Sequence, residues 1–191
     1  PRGEELAAAA RAARRPLAEG PEDLSSWVRC ITRSLVPSPG VYNNGLQITQ
    51  APGYVTVQRE MIHETRIITT EPGPHLGSDI TSWLGDARGQ WEGDTLVFEI
   101  TNFNGKAPYQ GTSDALTMTE RYTRTGPDTL EYQFTIDDPV VYTRPWTGMF
   151  TFVRDDTQYE LVEYACHEGN YGMTNILSGA RAREQEAESG R

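Results

Sequence analysis

From residue 45 to residue 166 the chain is a succession of short segments in which β-branched and aromatic residues alternate with polar ones. Turn residues punctuate them. "GLQITQ" and "YVTVQRE" flank "APG", and "TRIITT" runs into the breaker "EPGPHLG". "QWEGDTLVFEITNFN" holds a Gly-Asp turn ahead of a long strand-forming run. "ALTMTERYTR" and "TLEYQFTI" sit around "TGPD", and "MFTFVR" and "YELVEYAC" sit around "DDTQ". Period-2 alternation between such turns is the signature of hairpin-connected strands. No helix-length pattern interrupts them, and eighteen glycines and twelve prolines favour an all-β reading over a helical bundle. The expectation is all-β: about eight antiparallel strands in sequence order. The economical closure is a single up-and-down β-barrel, which removes both sheet edges. A β-sandwich is the alternative.

The ends read as appendages. Residues 4–15, "EELAAAARAARR", predict an N-terminal helix with acids first and arginines last, ended by Pro16 and Gly20. The polar "SGARAREQEAESGR" predicts a short C-terminal helix that frays. The expected division is a helical extension over 1–23, a barrel domain over 24–181 and a polar tail over 182–191. A net charge of −10 argues against a nucleic-acid backbone or an anionic membrane as partner. No apolar run is long enough for a helical membrane span, and "PRGEELAAAARAARRPLAEG" has no apolar core of an export leader.

Strand parity places polar residues on the apolar face. Asn102 follows Leu96, Phe98 and Ile100; Glu120 and Tyr122 follow Leu116 and Met118. Leu130, Tyr132, Phe134 and Ile136 make a wholly apolar face. His63 shares parity with Val55, Val57 and Met61, although Arg59 intrudes. In the expected last strand Glu163 and His167 share one face and Cys166 takes the other. An eight-stranded barrel is wide enough for one small ligand, and its interior polar groups need partners.

These residues point to acid–base chemistry. A histidine oriented by a carboxylate is a good general base near neutral pH. Neighbours on a strand face apart, so the orienters of His63 and His167 should come from other strands, with Glu120 and Glu163 as the candidates. Asn102, Asn104, Asn170, Tyr122 and Tyr171 are candidates to bind substrate oxygens. Arg88 would neutralise a carboxylate or pair with Asp86. Trp146, with Trp83 and Trp91, offers ring surfaces suited to a sugar or aromatic ligand. No cofactor is called for. A metal site for zinc or copper would need His63, His75 and His167, which lie on separate segments without HxH or HExxH spacing. Nucleophile-elbow and phosphate-loop signatures are absent. Cys30 and Cys166 are too far apart for a CxxC motif. They pair in an oxidising compartment or remain buried thiols in a reducing one.

"WLGDARGQWEGDTLVFEITNFN" (83–104) and "EYACHEGNYGMTNILSGAR" (163–181) resemble a large family of secreted bacterial proteins of uncharacterised activity, common in Acidobacteria. "YNNGLQI", "PGYVTVQREMIHETRII" and "DDPVVYTRPWT" fit the same family, so the resemblance spans about residues 27 to 181. It departs in the N-terminal helix and at "TTEPGPH". The resemblance implies a periplasmic or secreted setting, and with it a Cys30–Cys166 disulfide. "GQWEGDTLV" is similar to the core of small lipocalin-like barrels, an analogy of architecture alone.

The resulting expectation is a small-molecule-processing barrel that carries out proton transfer of lyase, isomerase or hydrolase type on a sugar-like or aromatic substrate. The alternatives are a non-catalytic, lipocalin-like ligand-binding protein or a histidine-ligated metalloprotein.

Overall fold

The computed structural model describes residues 5, 18–40, 42–157 and 160–190. Apart from Glu5, the expected N-terminal helix over 4–15 lies outside the described residues.

Eight strands form one sheet in strict sequence order. They are β1 (Leu46–Ala51), β2 (Tyr54–Arg59), β3 (Thr65–Thr69), β4 (Asp86–Glu92), β5 (Thr95–Thr101), β6 (Thr117–Gly126), β7 (Thr129–Asp137) and β8 (Trp146–Val153). Tight turns join β1 to β2, β4 to β5 and β6 to β7. Gly53 and Gly93 take positive φ at the first two, a conformation glycine adopts without steric cost. A bulge between Arg124 and Gly126 adjusts the third.

The sheet curls into a half-barrel. It does not close: among the described residues β1 pairs only with β2 and β8 only with β7. Two expectations are corrected here. Residues 160–166, expected as the closing strand, form no strand; Tyr159 lies outside the described residues. Their anchors lie elsewhere: Cys166 is bonded to Cys30, and the Tyr164 amide donates to His63 Nδ1 at 3.0 Å. The sheet is also not wholly antiparallel. β3 and β4 run parallel, joined by two residue pairs, Ile68 with Ala87 and Thr69 with Arg88. The cause is the connection over 70–85, whose Pro72 and Pro74 preclude a tight turn and which returns the chain to the starting end.

The concave face carries the core. Val55, Val57, Ile68, Leu96, Phe98, Ile100, Met118, Tyr132, Phe134 and Ile136 are buried along it at alternate positions. Each large apolar side chain so buried contributes about 1.5–3 kcal/mol relative to exposure. The segment before β1 completes the core from outside the sheet. Leu35 and Val36 are buried in the same cluster, and their backbone is held by Arg59, which donates to the Ser34 and Leu35 carbonyls.

After β8 the chain reaches α1 (Tyr171–Glu188), the one C-terminal helix and longer than expected. It begins where the Asn170 side chain accepts the Met173 amide at 3.2 Å, an N-cap that sets the start ahead of the charged stretch. The expected boundary at 181/182 falls inside it. Arg181 docks it by donating to the carbonyls of Ala18 and Glu19. No helix is long and apolar enough to cross a membrane among the described residues.

Candidate functional site

The hairpin turns at Gly93–Asp94 and Pro127–Asp128, together with β1 and the end of β8, bound an open cavity of about 1080 Å³ on the concave side. Its floor is apolar: Val55, Val57 and Leu96 are buried, and Leu130 and Phe152 are half-buried. Tyr122 is the polar residue of that floor. At the rim Ile48 and Trp91 are exposed, and Arg124, Arg154 and Asp156 add charge. Above this apolar floor the walls are polar, with Asn44, Gln47, Gln50, Asp94 and Asp128 among them, and a hollow of this size suits a drug-sized ligand.

Below that floor lies a buried polar cluster. Arg66 of β3 pairs with Glu120 of β6 and donates to the Leu35 carbonyl at 3.1 Å. Arg59 pairs with Glu64 at 3.0 Å, and Glu64 also accepts the Thr32 hydroxyl. The two pairs balance in charge. Burial, the largest single influence, lowers the affinity of the Arg66 guanidinium for its proton, but Glu120, Tyr122, Tyr132 and Glu64 together outweigh it and raise it above the ordinary arginine value. Tyr122 and Tyr132 pack tilted against each other nearby, with ring centroids 4.8 Å apart. Burial first, and then Glu120, push both phenols above their ordinary value, so both stay protonated donors. The Tyr122 hydroxyl lies 3.4 Å from Glu120 Oε2. The Tyr132 hydroxyl and Arg66 Nε are fully buried and have no hydrogen-bond partner among the described residues.

The expected catalytic residues are not brought together. Glu120 is interior, as its parity predicted, but is held by Arg66. His63 sits exposed in the turn after β2, at φ 55, because the strand alternation that placed it inside ends at Arg59. Glu163 and His167 are exposed in the segment before α1. Of the expected binding residues, Tyr122 and Trp91 line the cavity. Asn102 donates to the carbonyls of Leu76, Gly77 and Ile80, at 2.9–3.2 Å, and so fastens the β3–β4 connection. Asn104 accepts the Lys106 amide in a turn. Asn170 caps α1 and donates to the Val28 carbonyl, and Tyr171 is exposed. Trp146 packs against Phe134, Tyr109 and Tyr142 at the end of the sheet away from the cavity. Cys30 and Cys166 form a disulfide.

A carboxylate does orient a histidine, but it is His75, on the outer face. Its Nδ1 lies 2.8 Å from Asp86 and its Nε2 3.3 Å from Glu99. Arg88 takes the second of its two expected roles and pairs with Asp86 at 3.3 Å. Burial works to raise the Asp86 carboxyl, but hydrogen bonds from the Leu76 amide, His75 and Arg88 outweigh it and hold it below the usual carboxylate value. The cluster fastens the same connection that Asn102 holds. Among the described residues no group of three His, Cys, Asp or Glu side chains is disposed to hold a metal ion.

Sequence reading missed Arg59, Arg66 and Tyr132. A signal existed for the first two: both sit at interior parity on β2 and β3, where an arginine requires a buried acceptor. Tyr132 carries no such mark, since its ring reads as core.

No protein-family model matches the chain, and no curated protein or solved structure matches it.

Proposed function

We propose that the half-barrel binds a small, largely apolar molecule in its concave cavity, as a lipocalin-like carrier or receptor without turnover. The observation that carries this reading is the apolar floor of the 1080 Å³ hollow, reached through an open rim. The acid–base reading draws less support, since no histidine lines the cavity and Glu120 is committed to Arg66. Export to a periplasmic or extracellular compartment fits both the disulfide, which persists where conditions oxidise, and the family resemblance.

The test uses the neutral probe N-phenyl-1-naphthylamine with the intact protein. Saturable binding, read by probe fluorescence and by the emission of rim Trp91, is expected. Ile48→Glu places a charge on the exposed cavity wall and should weaken it about tenfold or more, as desolvating a charge is costly. Absence of saturable binding, or an unchanged affinity in Ile48→Glu, sinks the proposal.

A further inference from the structure

Beneath the apolar floor of the cavity lies a polar layer. Tyr132 lies under its floor, with its ring 4.8 Å from Tyr122 and 5.8 Å from Phe152, both of which line the hollow. Tyr132 has no exposed surface, and neither its hydroxyl nor Arg66 Nε has a partner among the described residues. Buried polar groups are almost always paired, so two unpaired donors in one polar cluster ask for an acceptor from elsewhere.

We propose that the ligand carries a neutral oxygen acceptor, a ketone, ester or amide carbonyl on an apolar body, and that it accepts hydrogen bonds from the Tyr132 hydroxyl and Arg66 Nε–H. This rests on the reading of the cavity as a ligand site. Charge selects the neutral group. Arg66 is already neutralised by Glu120 and Arg59 by Glu64, so an entering carboxylate would add an uncompensated buried charge beside Glu120. An ammonium group would likewise add an uncompensated charge to two balanced pairs, and would offer donors to donors. Phe152 is half-buried, lines the hollow and packs against the Tyr132 ring.

The experiment compares methyl octyl ketone, nonanoate, nonylammonium and decane, each displacing the bound naphthylamine probe, on the native chain and on Tyr132→Phe. On the native chain the ketone is expected to bind about tenfold or more tighter than any of the others. Tyr132→Phe removes only an unpaired hydroxyl, so its melting temperature should hold or rise while the ketone loses about tenfold in affinity and decane is unaffected. Decane and ketone bound alike, or nonanoate bound more tightly, overturns the carbonyl site and leaves the cavity reading standing. A marked fall in the melting temperature of Tyr132→Phe overturns it too, because the hydroxyl would then serve the fold. If the naphthylamine probe itself fails to bind, both readings fall.

Discussion

At the scale of single residues, the interior is governed by which charges find partners. Glu120 shows what alternation can and cannot reveal. Its place on the inner face follows from Leu116 and Met118, but its partner Arg66 lies fifty-four residues away, on a strand that meets it only in three dimensions. Pair identity is a product of curvature across β3 to β6, and no spacing encodes it. The pair has no exposed side-chain surface on the glutamate side, so removing one member strands a buried charge. Arg66→Met is therefore expected to cost about 3–5 kcal/mol in urea unfolding, and Arg66→Met with Glu120→Leu much less than the sum of the single changes. Additive losses would show that the two side chains act independently. The histidines teach the reverse lesson. His63 keeps the parity of β2 in the sequence, yet the strand stops at Arg59 and the 3-10 turn at Met61–His63 takes it to the surface.

At the scale of elements, the hairpins were legible and the long connections were not. Turn residues at Gly53, Gly93 and Gly126 mark β1–β2, β4–β5 and β6–β7 because local backbone sterics decide such turns. The stretch 70–85 shows breakers but not direction, so the parallel meeting of β3 and β4 could not be read. What fixes it is a set of distant anchors, Asp86 on His75 and Asn102 on three carbonyls. The segment 160–166 has the alternation of a strand and still is none in its described residues, because tertiary anchors at Cys166 and Tyr164 override a local preference. Packing between β7 and β8 depends on one small residue. A Cβ on Gly148 would fall 2.4 Å from Phe134 Cζ, against a ring that is 2 % exposed and hemmed in by Tyr132, Trp146 and Phe150. Gly148→Ala should therefore destabilise the fold by about 1–3 kcal/mol, measured by denaturant midpoint at unchanged slope. A neutral result would mean that Phe134 has room to move.

At the scale of the whole molecule, an open sheet has to be held by what lies outside it. The disulfide spans 136 residues and ties the segment before β1 to the segment before α1. Replacing both cysteines by serine should cost about 2–5 kcal/mol, read as a lowered urea midpoint that matches that of the reduced native chain. If the two differ widely, the serine hydroxyls rather than the missing bond are responsible.

The sequence by itself determined the class of this protein, its hairpin pairs and the inward face of most of its strands. Those depend on alternation and turn chemistry, which act within a few residues. Tertiary structure alone decided that the sheet stays open, that β3 and β4 run parallel, that His75 rather than His63 meets carboxylates, and that Arg66 and Tyr132 carry unpaired donors beneath the cavity floor. Each of these rests on contacts between residues far apart in the chain, and such contacts are set by curvature and packing rather than by any local pattern.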